Sequence, residues 1–193
     1  MNMRLETFTA VLLAGGRSTR MGRDKAGVIL DGTPLWQRQL ATLRAANPHE
    51  LLISGRSDGP YAGAGLEIAP DETPGLGPLG GIATALRRMQ CERLLVLAVD
   101  LPAMTADFLR DLLEGCEPAM GVVPRLDGKF EPLAAVYPRA CLAVAEECLL
   151  GEDRSMQRFV RRGLAAGQLL ARDIPPAARD LFRNVNTPAD VTL

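Results

Sequence analysis

The sequence predicts an α/β fold: an open, mostly parallel sheet with helices on both faces and an antiparallel excursion in the C-terminal half. Three observations predict it. Two nearly continuous apolar runs, 8–14 (FTAVLLA) and 93–99 (RLLVLAV), read as central strands buried on both faces, as in a parallel sheet covered by helices. Other strand-like runs alternate with helical spacings along the chain. A glycine-rich, basic stretch follows the first central run directly, at the strand end where open α/β sheets hold ligands.

In chain order, strand 8–14 breaks into Gly15-Gly16. The segment PLWQRQLATLRAAN places Leu35, Trp36, Leu40 and Leu43 close to helical spacing, and Pro34 suits a first turn, so a helix is expected over 34–46. A strand at 51–54 (LLIS) is followed by GRSDGPYAGAG (55–65), which reads as a flexible connection, and by a strand at 66–69. Helix 79–90 leads into the second central strand. Thr105 is the expected N-cap of helix 105–115, with Asp107 favourable in its first turn and Gly115 near its end. Strands at 119–124 and 131–137 flank 125–130, where Asp127-Gly128 marks a hairpin tip and hence the antiparallel excursion. Helices at 139–150 and 154–163 and a strand at 168–172 complete the series. The pattern is that of a three-layer, Rossmann-like architecture.

The 193 residues are enough for one domain, 1–193, with a substantial core. An apolar share of 47% and a charged share of 23% are those of an ordinary globular protein. A formal net charge of −1 gives no general attraction to nucleic acid or to an anionic membrane. MNMRLETF carries no apolar leader, and no uncharged run approaches the ~18–20 residues of a membrane span, so the cytoplasm is the expected compartment. Cys91, Cys116, Cys141 and Cys148 form no C-x-x-C, and His49 is the only histidine. That argues against a Cys/His zinc site and against Ser-His-Asp catalysis, and for buried free thiols.

Residues 11–26 (VLLAGGRSTRMGRDKA) concentrate the chemistry. Adjacent glycines let backbone N–H groups approach an anion closely. Arg17, Arg20, Arg23 and Lys25 follow within nine positions and supply countercharge for more than one phosphate. A nucleoside triphosphate suits this combination, although the absence of Gly-Lys-Ser/Thr excludes a Walker A loop. Arg20 and Lys25 are the candidates for phosphate stabilisation; at least one of Arg17 and Arg23 is expected to be merely solvated. Other expected strand ends carry Ser54-Gly55-Arg56, Pro70-Asp71-Glu72 and Val99-Asp100-Leu101-Pro102. Asp100, a carboxylate ending a buried strand, is the metal candidate, because Mg²⁺ uses one or two carboxylates with phosphate oxygens and water. The alternative is that Asp100 caps the following turn; the phosphate loop on another strand favours the metal. Asp71 is balanced between ligand contact and ordinary turn chemistry.

Gly75-Leu76-Gly77-Pro78-Leu79-Gly80 matches G-x-G-x-x-G, with Asp100 some 20 residues on. A dinucleotide fingerprint normally fills the first βα turn, and here a more basic loop is in that place. Residues 75–81 read instead as a glycine-rich loop over a base or ribose, with Gly80-Gly81 opening the helix.

On these residues the chain resembles nucleotidyltransferases with a Rossmann-like fold: L-A-G-G-R-S-T-R-M-G-R-D-K (13–25) looks like their signature. Within them it most resembles the molybdenum cofactor guanylyltransferases. The likeness extends to Gly32-Thr33-Pro34-Leu35, Gly77-Pro78-Leu79-Gly80-Gly81, Val99-Asp100-Leu101-Pro102 and the terminal Asn184-Val185-Asn186-Thr187-Pro188. The related cytidylyltransferases typically carry L-A-A-G where this chain has Leu13-Ala14-Gly15-Gly16, which favours guanine. Two positions depart: Ser54 stands where Asn is frequent, and Glu131 where His sometimes stands.

The resemblance implies transfer of GMP from GTP to the terminal phosphate of molybdenum–molybdopterin, with pyrophosphate leaving. It implies a nucleotide-binding half, about 1–103, in which Leu13, Ala14, Gly15, Gly16, Lys25, Ser54, Asp71, Gly77, Pro78, Leu79 and Gly80 contact GTP. Arg20, Lys25 and Asp100 are then catalytic, with Mg²⁺ on Asp100. It also implies an acceptor-binding half, about 104–193, with Asn184 and Asn186 near the pterin phosphate, and dealings with other cofactor-synthesis proteins and molybdoenzymes. Three alternatives stand beside it: a nucleotidyltransferase for cytidylyl or sugar-phosphate chemistry, a non-enzymatic nucleotide-binding domain, and an NAD-dependent oxidoreductase using 75–80.

Overall fold

The computed structural model describes residues 7–15, 24–70, 75–117 and 119–185. Its main sheet is built from β1 (Thr9–Leu13), β4 (Glu50–Ser54), β5 (Glu67–Ala69), β6 (Arg93–Ala98), β7 (Gly121–Leu126), β9 (Ala134–Pro138) and β10 (Leu169–Asp173). They run in the spatial order β10-β7-β9-β6-β1-β4-β5, and β8 (Lys129–Phe130) pairs with the end of β7. Helices α1 (Leu35–Ala45), α2 (Gly77–Arg88), α3 (Ala106–Glu114), α4 (Cys141–Leu150) and α5 (Met156–Ala165) cover it.

The central strands are apolar from Ala10 to Leu13 and from Leu94 to Ala98 because both faces are buried. Alternate residues of β1 enter different cores. Ala10 and Leu12 pack with Leu40 and Leu43 of α1 and Leu109 and Leu112 of α3. Val11 and Leu13 pack with Ile82 and Leu86 of α2, Val144 of α4 and Phe159 of α5. The same alternation divides Leu95 and Leu97 of β6 from Leu94 and Val96. Each buried valine or leucine among them contributes roughly 1.5–3 kcal/mol through burial, which is why these two strands stand out in the sequence.

Register carries the functional consequence. β1 pairs in parallel with both β4 and β6, and Leu13 lies level with Ser54 on one side and Ala98 on the other. Past the strands, the Ala14 amide donates to the Ser54 carbonyl (2.8 Å) and the Val99 amide to the Leu13 carbonyl (3.0 Å). Three chain exits therefore open at one level of the sheet edge.

The antiparallel excursion lies where expected. The hairpin tip is Asp127-Gly128, with φ of 50° and 76°, the pair of positive values that two-residue type I′ turns require. Its partner strand β8 is short, and it is β9 that returns antiparallel between β6 and β7. Thr105 caps α3 by accepting from the Phe108 amide.

Three readings need correction. Helix α2 begins at Gly77 rather than at Gly80-Gly81, because Pro78 sets a helical φ in its first turn. Pro34 is the N-cap of α1 rather than a first-turn residue. It belongs to β3 (Thr33–Pro34), which pairs with β2 (Ile29–Leu30) across a second Asp-Gly tip, Asp31-Gly32.

The stretch 55–65 is also more organised than a flexible connection. Tyr61 is buried, and its hydroxyl accepts from the Arg56 amide at 2.8 Å. Gly55 and Gly59 give the ring its space, since a Cβ at either would stand 2.0 and 2.4 Å from Tyr61 ring or hydroxyl atoms. Tyr61→Phe is expected to cost about 1 kcal/mol, the worth of one such hydrogen bond. Chemical denaturation reads this directly; an unchanged midpoint would show that the bond does not organise the loop.

Candidate active site

The three exits frame a cavity of about 180 Å³. Leu13, Ala14 and Gly15 line it from β1, Ser54 from β4, and Ala98, Val99 and Asp100 from β6. Gly77, Pro78 and Gly81 close it from the start of α2, and Leu133 from the approach to β9. Leu133 is held there by its carbonyl, which accepts from the Ala98 amide at 2.8 Å.

Lys25 enters the same cavity from a 3-10 turn, Lys25–Gly27. Asp24 caps that turn, its Oδ1 accepting from the Ala26 amide at 3.0 Å. The Lys25 Nζ donates to Asp100 Oδ2 at 3.0 Å, across 75 residues of sequence. The two side chains are 24% and 21% exposed. Asp24 also meets Arg56 at 3.6 Å, which links the turn to the exit of β4.

This arrangement suits a polyanion. An ammonium stands at the wall, and the first turn of α2 brings backbone N–H groups and the positive end of the helix dipole to it. Leu76 makes no side-chain capping bond there. The partly exposed ion pair itself adds little stability; its effect is to hold one cation and one carboxylate side by side at the mouth. Among the described residues no group of three or more His, Cys, Asp or Glu side chains gathers to cage a metal. A metal at Asp100 would therefore share its shell with ligand oxygens, a donor set that fits Mg²⁺.

Of the residues singled out from sequence, Leu13, Ala14, Gly15, Lys25, Ser54, Gly77, Pro78 and Asp100 come together here. Leu79 turns into the core beneath α2, and Gly80 is packed so closely that a Cβ would stand 2.7 Å from Leu76 Cβ. Asn184 is exposed, but the next residue, Val185, donates its amide to the Asp100 carbonyl at 3.0 Å, which sets Val185 beside the β6 exit. Gly16, Arg20, Asp71 and Asn186 lie outside the described residues, as do Arg17 and Arg23. Gly81 and Val99 fall within motifs read from the sequence but were assigned no contact there, and Ala98 and Leu133 carry no such signal. Adjacency to Asp100 could have found Val99; nothing local marks Leu133.

His49 lies far from this chemistry, with its amide bonded to the Phe8 carbonyl ahead of β1, at the opposite edge of the sheet. All four cysteines are free, and Cys91, Cys141 and Cys148 are buried. Burial pushes the Cys141 thiol up to about 12. Among the described residues no helix is long and apolar enough to cross a membrane.

The MobA-like NTP transferase domain family matches residues 10–168. The chain is 38% identical over 193 residues to a probable molybdenum cofactor guanylyltransferase of Opitutus terrae, covering 98% of this chain and 96% of that protein. It is 30% identical over 189 residues to the molybdenum cofactor guanylyltransferase of Yersinia pseudotuberculosis, covering 96% and 94%. Among solved structures, molybdopterin-guanine dinucleotide biosynthesis protein A from Archaeoglobus fulgidus matches with a TM-score of 0.74 at 24% identity, over 95% of each chain. The 4-diphosphocytidyl-2C-methyl-D-erythritol synthase of Anaerococcus prevotii matches with a TM-score of 0.71 at 10% identity, over 97% of this chain and 94% of that one. At these identities the two structures speak to the fold.

Proposed function

From the premise that this chain belongs to the MobA-like NTP transferase family, we propose that it transfers GMP from GTP to the terminal phosphate of molybdenum–molybdopterin. The products are molybdopterin guanine dinucleotide and pyrophosphate. Likeness to guanylyltransferases along nearly the whole chain carries the reading. The cavity at the strand ends supplies the means.

An acceptor phosphate oxygen attacks the α-phosphorus of GTP, the bond to the bridging oxygen breaks, and pyrophosphate leaves in line. Both reactants are anions, so the barrier is largely electrostatic. The Lys25 ammonium and the N–H groups at the start of α2, which line the cavity, are suited to stabilise charge gathering on the leaving group. Asp100 would hold Mg²⁺, and the ion, when bound, would supply Lewis-acid neutralisation of developing charge. A phosphate monoester is already ionised near neutral pH, its second pKa being about 6, so no general base is required, which agrees with a cavity that His49 does not reach. Arg20 adds positive charge to the phosphate loop, and Asp71 takes the nucleoside side. Residues 1–103 hold GTP, and 104–193 hold the acceptor through Asn184 and Asn186. Other cofactor-synthesis proteins and molybdoenzymes are the partners of such an enzyme.

Thermal unfolding with GTP, CTP, ATP and UTP in the presence of Mg²⁺ tests the reading. GTP is expected to stabilise most, by about 2.7 kcal/mol at a hundredfold excess over its Kd. A CTP preference would reassign the base. No nucleotide effect, together with no pyrophosphate released on adding acceptor, would overturn the transferase reading.

A further inference from the structure

We propose that Gln39, on α1, is a positioning residue that holds the Asp100 turn in its working geometry. Gln39 is fully buried, and its Nε2 donates to two backbone carbonyls, those of Ala98 at 3.2 Å and Leu101 at 2.5 Å. These carbonyls flank Asp100 in the chain. The neighbouring Arg38 donates from Nε to the Pro102 carbonyl at 3.1 Å, and the Asp100 carbonyl accepts from Val185. Leu101 and Pro102 lie past the end of β6, beyond its sheet partners, so their carbonyls need other donors, and Ala98 is the last residue of the strand. Two adjacent residues of α1 provide them for three of the carbonyls around Asp100.

Packing alone does not account for a glutamine here. Its Oε1 is buried with no hydrogen-bond partner among the described residues, and a desolvated, unpaired acceptor lowers stability. A leucine would fill the position without that loss. What the amide adds is two N–H bonds beneath the turn that carries the cavity's carboxylate. Without them the Ala98 and Leu101 carbonyls lose their buried donor and the turn relaxes. The Asp100 carboxylate, 3.0 Å from Lys25 Nζ, then moves with it. A displacement of about 1 Å at such a site is enough to cost up to ~10²-fold in rate.

This inference rests on the reading that Asp100 belongs to the catalytic centre, and the experiment keeps the two apart. Full-length Gln39→Leu and Gln39→Met (similar length, no N–H or O–H donor) are assayed for kcat and for KM of GTP, with Tm measured alongside. Leu43→Ala, a core variant of the same helix away from the turn, controls for lost stability, and Asp100→Ala for the site. Both Gln39 variants are expected to lower kcat by roughly 10-fold or more while KM for GTP changes less than about 3-fold, as for an interaction realised in the transition state. Leu43→Ala is expected to lower Tm and keep kcat. Wild-type kcat in a folded Gln39 variant, or an equal fall in Leu43→Ala, overturns the positioning role while Asp100→Ala stays impaired. Wild-type kcat in Asp100→Ala overturns the site and the inference together. Should neither Gln39 variant fold, Arg38→Ala at the more exposed end of the brace decides: a fall in kcat of about 3-fold supports the role and an unchanged kcat overturns it.

Discussion

Asp100→Ala is expected to lower the rate of pyrophosphate release by about 10²-fold or more, with the protein still folded. That factor corresponds to roughly 2.7 kcal/mol of transition-state stabilisation. The fold should survive because of how Asp100 is held. Its backbone carbonyl, which accepts from Val185, is unchanged by the substitution. Its side chain is partly exposed and is paired with Lys25, an interaction that contributes little to stability. Lys25→Ala is expected to cost a similar factor, because its ammonium lines the same cavity and pairs with the same carboxylate. The double variant should fall well short of the product of the two, since each single substitution already disables the same charge arrangement. Asp100→Asn separates charge from shape: it keeps the volume and loses the ligand, and should behave as Ala. Turnover assays paired with thermal unfolding check all four variants. A folded Asp100→Ala protein with near-normal turnover would remove this residue from the mechanism.

Gly121→Ala is expected to cost the fold about 3 kcal/mol or more, at the upper end of overpacking effects. For a domain of this size that is roughly 6–12 °C in Tm. Gly121 opens β7 where it runs closest to β9 and β10. A Cβ there would lie 2.2 Å from the Val136 carbonyl oxygen, 2.7 Å from Leu169 Cδ2 and 2.8 Å from Pro138 Cδ. The first of these is backbone of β9, which is paired along β6 and cannot retreat without breaking that ladder. Gly63→Ala is the control, since a Cβ there meets nothing within 4 Å, and its effect should stay within about 0.5 kcal/mol. Equal Tm values for the two variants would contradict the close approach of β7 and β9.

Much of this molecule is readable from its residues. β1 and β6 announce themselves because a strand covered on both faces must be apolar at every position, as Ala10 to Leu13 and Leu94 to Leu97 are. The Asp127-Gly128 tip is visible because few residues other than Asp and Gly accept the positive φ it needs. Asp31-Gly32 carries the same signal, yet its strands are two residues each, too short to show a period. The start of α2 is misplaced when Gly80-Gly81 is weighed above Pro78, and the order of the 55–65 loop is hidden because it depends on Tyr61 finding space beside Gly55 and Gly59.

The sequence by itself determined the parts: which runs are buried strands, and that a carboxylate stands at the end of β6. These follow from spacing and residue type within a few positions of one another. The tertiary structure decided how the parts meet. It set β9 between β6 and β7, brought Ser54, Gly15 and Asp100 to one cavity, placed Lys25 against a carboxylate 75 residues away, and put the Gln39 amide under the Asp100 turn. The reason is physical. Lateral strand order and side-chain pairing are chosen by packing free energy summed over residues distant in the chain, and no local pattern in the sequence encodes that sum.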